Sequence, residues 1–131
     1  MNNKGFTLME LTIVLAILAI IAAILIPSFL TTSDRARLRG DIHSARVIQN
    51  AYELYRLERG VSPGDSIDSI IERLQMTDYL PGGDMETQTN GGMWVYSRVN
   101  GVQVDISECL DGVKRAYESL PDSEKAFVTG A

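Results

Sequence analysis

Lys4-Gly5-Phe6-Thr7-Leu8-Met9-Glu10 runs directly into the apolar segment Leu11–Ile26, and how that junction is read decides the fold. Between Phe6 and Ser33 the only charged residue is Glu10. The uncharged stretch Leu11–Ser33 is long enough to cross a hydrocarbon core, which takes roughly 20 helical residues. Pro27 removes one helix hydrogen bond within it and favours a kink. A carboxylate in such a span is expensive, on the order of 3 kcal/mol or more at the bilayer centre. Glu10 is therefore read first as a functional residue.

Two plain readings, a secretory signal and an unprocessed single-pass anchor presenting an acidic binding domain, fit the segment less well. A secretory signal needs a short apolar core of about 7–15 residues and then a small-x-small cleavage site. Here Ala19, Ala22 and Ala23 lie inside a run that continues through Ile24-Leu25-Ile26, so no cut follows naturally. A plain anchor accounts for the length, and Glu10 could then snorkel to the headgroups. That reading leaves the glycine placed directly before a Glu-bearing span unexplained.

The motif Gly5-Phe6-Thr7-Leu8-Met9-Glu10, with the uncharged span through Pro27, resembles the class III signal of type IV pilins and type II secretion pseudopilins. The resemblance implies cleavage by a prepilin peptidase between Gly5 and Phe6 on the cytoplasmic face, and N-methylation of Phe6. It makes residues 1–5 a leader, residues 6–33 a transmembrane and filament-core helix, and residues 34–131 a globular head. It also makes Glu10 the buried carboxylate of filament assembly. The new Phe6 amine would be as awkward in an apolar bundle as Glu10, and opposite charges attract strongly where the dielectric is low. A carboxylate facing a neighbour's amine would neutralise both and set axial register.

The same resemblance implies its partners. They are further copies in a helical filament, the prepilin peptidase, an inner-membrane assembly platform and minor pilins. It implies a subunit held in the inner membrane before assembly and then placed in an extracellular or periplasmic filament. Positive charge before the span and the acidic domain after it put the N-terminus inside and the C-terminus outside. Pro27 and Gly40 bound the stretch expected to kink or melt, since glycine costs a helix about 1 kcal/mol relative to alanine.

Composition narrows the remainder. The chain has 131 residues and a formal charge of −5, which becomes −6 once Lys4 leaves (11 Lys+Arg against 17 Asp+Glu). An acidic domain gives no electrostatic reason to expect nucleic-acid binding. Past residue 33 fewer than 100 residues remain, so the head's core is small and uses the exposed half of the long helix as its spine. Cys109 is alone, which rules out the intramolecular disulfide that closes a loop in many major pilins. It is read as a small buried hydrophobe.

Leu38, Ile42, Ala45, Ile48, Tyr52 and Tyr55 form one apolar stripe at helical spacing. Arg35, Arg37, Arg39, Asp34, Asp41, Arg46 and Glu53 are read as decorating the other faces. Gly60 ends this helix. A short helix over Ile67–Leu74, capped by Asp65 or Ser66, turns Ile67, Ile70, Ile71 and Leu74 inward. A polar, Gly-rich loop follows from Pro81 to Gly92. Asn100-Gly101 between Met93–Val99 and Val102–Ile106 predicts a hairpin with a two-residue turn. That register pairs Val99 with Val102, Ser97 with Val104 and Val95 with Ile106. It puts Met93, Val95 and Val99 on the core face and turns Trp94 and Tyr96 away, towards loop cover or a subunit contact. A last helix, Glu108–Leu120, starts at a Ser107 cap, and the tail Ser123–Ala131 is poorly specified.

The predicted architecture is α+β and pilin-like, with a long N-terminal helix against a small antiparallel hairpin and short helices. Catalytic chemistry finds no footing. His43, the only histidine, is read as a helix-surface residue. Asp65, Asp68, Asp84 and Glu86 lack calcium-loop spacing, so neither a metal nor a cofactor is expected. The chain reads as a structural subunit and not as an enzyme.

Overall fold

The computed structural model describes residues 5–131, so Met1–Lys4 of the expected leader lie outside the described residues. Helix α1 spans Leu8–Arg59, 52 residues without a break at Pro27 or Gly40. Gly60 terminates it at φ 71°, where its N–H donates to the Arg56 carbonyl and a side chain with a Cβ would be strained. Helix α2 follows at Ile67–Met76, then strands β1 (Met93–Ser97) and β2 (Gly101–Asp105), helix α3 (Asp111–Glu118), a short α4 (Asp122–Lys125) and strand β3 (Val128–Thr129). This is the α+β, pilin-like arrangement expected.

The predicted stripe is the spine of the core. Leu38, Ile42, Ala45, Ile48, Tyr52 and Tyr55 are all buried. The upper part of the stripe packs with Ile70, Leu74, Leu80 and Val102. The lower part packs with Val104, Ile106, Cys109, Val113, Leu120 and Val128. Helix α2 begins at the expected Ser66, whose hydroxyl accepts the Ser69 N–H and which gives its own N–H to Ser69 Oγ. Ile67 and Ile71 are only partly buried against the same core.

Four expectations need correction. The hairpin pairs Trp94 with Val104 and Tyr96 with Val102, and its turn is Arg98–Asn100. Gly101, at φ 74°, supplies the left-handed residue that three-residue loops use, and the Ser97 hydroxyl holds the Asn100 N–H. Because side chains alternate, this odd shift turns β1 over. Trp94 and Tyr96 pack on the core, while Met93 and Val99 are exposed. Both rings can face inward because their polar tips are satisfied there. Trp94 Nε1 donates to the Met85 carbonyl at 2.8 Å, and the Tyr96 and Tyr52 hydroxyls bond at 2.7 Å.

The last long helix starts at Asp111 and not at a Ser107 cap. The Ser107 N–H instead donates to Asp105 Oδ1, which turns the chain so that Cys109 is buried and Leu110 exposed. The tail read as poorly specified forms β3, parallel to β2, and makes β2 the central strand. Gln103 on β2 is thereby enclosed and donates to the Ala126 carbonyl. Asp41, read as surface decoration, is 1% exposed.

Candidate functional site

The N-terminal end of α1 is built by two side chains. Thr7, extended at φ −78° and ψ 156°, is the N-cap, and its hydroxyl accepts the Glu10 N–H at 3.2 Å. Glu10 Oε2 in return accepts the Thr7 N–H at 2.9 Å. This reciprocal capping box satisfies two backbone donors at a helix start and places a negative charge at the positive end of the helix dipole. Thr7 was missed as a site residue, yet Thr-x-x-Glu before an apolar run is a legible signature. Gly5 and Phe6 precede the helix, and the Phe6 ring is 93% exposed.

Behind the cap, every side chain from Leu8 to Thr32 is exposed, including Leu11, Ile20, Leu25 and Phe29. By length and composition this part of α1 can cross a membrane. Water is a poor solvent for such a face, and a bilayer or a bundle of like helices is a good one. In the turn after Pro27, two hydroxyls bond back to the helix backbone. Thr31 Oγ1 donates to the Pro27 carbonyl at 3.3 Å and Thr32 Oγ1 to the Ser28 carbonyl at 3.0 Å. Hydroxyls that bond back four residues often bend helices.

Gly40 sits elsewhere in the logic of the chain. It faces the Gly-rich loop, where an added Cβ would stand 3.1 Å from Gln88 Oε1. Beside it, the buried Asp41 carboxylate accepts the Gln88 N–H at 2.7 Å and the Thr89 N–H at 2.8 Å. Glycine lets the loop come close, and aspartate fastens it. Among the basic residues just above the span, Arg39 pairs with Glu124 at 3.0 Å and Arg37 is exposed. His43 is exposed on α1. Burial pushes the Cys109 thiol up from its ordinary value, which makes it unreactive. Among the described residues no three His, Cys, Asp or Glu side chains converge as a metal centre would need.

Residues 1–26 match the family described as the prokaryotic N-terminal methylation motif. Over 77 residues the chain is 36% identical to the prepilin peptidase-dependent protein A of Clostridium perfringens, covering 58% of this chain and 51% of that one. It is 63% identical over 35 residues to the type IV wide pilus major component PilA4 of Thermus thermophilus, covering 27% of each chain. With the type II secretion system core protein G of Vibrio cholerae it shares 32% identity over 62 residues, covering 47% of this chain and 42% of that one. The chain thus spans about half or less of the length of these relatives. No solved structure matches it. Residues 1–26 thus carry a prokaryotic N-terminal methylation motif, and over its matched part the chain is similar to type IV pilins and to a type II secretion core protein.

Proposed function

We propose that this chain is the structural subunit, a major pilin, of a type IV pilus-like filament. A prepilin peptidase removes residues 1–5 and methylates Phe6. Residues 6–33 then anchor the subunit in the inner membrane, with residues 34–131 outside as the head. Assembly transfers the apolar helix from lipid into a bundle of like helices, in an extracellular or periplasmic filament. An assembly platform and minor pilins complete the machinery, and the role is structural and not catalytic.

The observation that carries this reading is the lower half of α1, an entirely exposed apolar helix whose one charge, Glu10, sits in its first turn. The capping box engages one carboxylate oxygen. The other remains for a neighbour's Phe6 amine, a pairing that neutralises two charges and fixes register. Pro27 and the back-bonded threonines give the helix its place to bend or melt on packing. Gly40 adds little to that weakness, since the head already packs on the helix from Leu38 onward.

A second reading, a secretion pseudopilin, is favoured by the lone Cys109, which departs from the paired cysteines of many major pilins. Microscopy of sheared cells separates them, since a pilus gives long fibres and a pseudopilus short ones. The first test of both is the intact mass and N-terminal sequence of the protein from its native membrane. A chain starting at methylated Phe6 is expected. A chain still starting at Met1, in cells with a working prepilin peptidase, would reduce residues 1–33 to a plain anchor.

A further inference from the structure

The sheet has one long edge, and it is open. The strand order is β1-β2-β3, so β1 pairs on one side only. Val104 and Ile106 give their N–H groups to β3 and its approach, and Val102 gives its own to Gln49 Oε1 on α1. Backbone groups alternate along a strand, so Gly101, Gln103 and Asp105 are the residues that face β1, opposite Ser97, Val95 and Met93. The N–H and C=O groups of Trp94 and Tyr96 therefore point to the free side. Among the described residues none of those four groups has a hydrogen-bond partner. Edge strands are usually blunted by a charge, a proline or a bulge. Met93-Trp94-Val95-Tyr96-Ser97 has no charged residue and no proline, and its register with β2 is unbroken.

A recess lies at each end of this edge, and the two differ in charge. The one at Trp94, about 560 Å³, is bounded by Ile67 and Asp68 of α2 and by Glu86 and Thr87, with both carboxylates exposed. The one at Tyr96, about 390 Å³, is bounded by Arg56, Arg98, Ser62 and Asp65. Its guanidiniums are loosely held, Arg98 at 3.4 Å from Asp65 and Arg56 at 3.9 Å from Glu53, in pairs half exposed or more. Such pairs contribute little and yield readily to a better acceptor.

We infer that the β1 edge binds an extended peptide of another protein as a fourth strand, antiparallel to β1. That peptide carries an acidic residue near its N-terminal end and a basic one near its C-terminal end. Its residues opposite Trp94 and Tyr96 each exchange two backbone bonds with β1. Running antiparallel, it starts beside Arg56 and Arg98 and ends beside Asp68 and Glu86, which sets that order of charge. A second copy does not suit the edge. β2 descends α1, from Val102 in the upper core to Val104 in the lower, so β1 climbs it. Two β1 edges paired antiparallel would set their α1 helices antiparallel, which copies sharing one membrane cannot adopt. That exclusion rests on the anchoring proposed above, whereas the open edge does not.

The test uses the full chain in detergent micelles and three labelled peptides with capped ends, read by fluorescence anisotropy. The first is Glu-Val-Thr-Val-Thr-Val-Lys, the second exchanges its two charged ends, and the third is the first with every internal backbone nitrogen methylated. The first should bind saturably and at least tenfold more tightly than the second, and the third should not bind. Arg98→Glu with Asp68→Lys, both at exposed positions, should invert the preference and leave the head's thermal unfolding unchanged. Three results would overturn the inference: no binding of the first peptide up to millimolar concentration, equal affinity for the two charge orders, or undiminished binding of the methylated form. Dimers of the chain alone that the first peptide dissociates would assign the edge to a second copy and equally overturn it. None of these outcomes needs a filament, so failure of the filament reading, seen as wild-type cells without filaments, stays distinct.

Discussion

From Leu8 to Thr32, α1 buries no side chain, whereas from Leu38 to Tyr55 it buries eight. The backbone is one continuous helix across both halves, so the difference lies in what each half is dissolved in. The upper half is held by its own chain, through a core that includes Leu38, Ile48, Val102, Val104 and Ile106. Among the described residues the lower half has no tertiary partner, and its apolar surface is suited to lipid or to a bundle of apolar helices. A substitution below Ser33 should therefore change assembly and leave the head's stability alone. One above it should do the reverse.

Glu10→Ala is the strongest way to test that division. In the proposed filament, losing the carboxylate would strand the neighbour's amine in an apolar bundle, and 1.4 kcal/mol already corresponds to about tenfold in an equilibrium. Filament yield should fall by at least that factor, while the thermal unfolding of the head in detergent stays where it was. Unchanged yield would show that the two halves do not differ in this way. Glu10→Gln, which can still accept from Thr7, should cap the helix and yet fail to assemble, separating the cap from the charge.

Asp41→Ala is the mirror experiment. It leaves two N–H groups, the part-buried one of Gln88 and the buried one of Thr89, without an acceptor. A hydrogen bond to a charged group contributes roughly 1.5–3 kcal/mol, so a loss of about 3 kcal/mol in head stability is expected. N-terminal processing should be untouched, because Phe6 is far along the helix from Asp41. Processing that fails together with the head would mean that the peptidase senses the folded domain.

The Tyr52–Tyr96 hydroxyl pair gives a smaller, pH-dependent effect. Burial, and then the hydrogen bond to Tyr52, push the Tyr96 hydroxyl up to about 12 from an ordinary value of 10.0. The folded state thus holds a proton that the unfolded chain gives up first. Its contribution is complete below pH 10 and is lost as pH rises towards 12. Tyr96→Phe should cost about 1 kcal/mol at neutral pH and flatten that alkaline decline in a denaturation series. An unchanged decline would assign it to other groups.

What could be read from the chain follows the same division. Periodicity over a long segment is robust, and so the span, the buried stripe, the Ser66 cap and the Gly60 stop were all legible. β1 was misread because Asn100-Gly101 is the signature of a two-residue turn, and one odd step in loop length exchanges the two faces of a strand. The rings of Trp94 and Tyr96 settle the matter only through Met85 and Tyr52, residues remote in sequence. β3 is two residues long and exists by pairing with β2. Asp41 looks like any helix-surface acid until a loop 47 residues later arrives with two free N–H groups. Features set by distant contacts leave no local pattern.

Gly40 is where the two halves meet and where the smallest effect carries the sharpest distinction. As a helix weakener, glycine there costs about 1 kcal/mol relative to alanine, and Gly40→Ala should stabilise the head by up to that amount. As a clearance for the loop, the same change meets Gln88 Oε1 at 3.1 Å. That atom is the end of a flexible side chain, and the loop's backbone is held by Asp41 and not by Gln88's amide. The amide can swing away without breaking the fastening, so a net gain of about 0.5 kcal/mol is expected in chemical denaturation. A net loss would show Gln88 fixed in place, and Gly40 would then serve the head rather than the hinge. A stabilised head with unchanged filaments would confine the flexible stretch to Pro27–Arg37, where no side chain of α1 is buried.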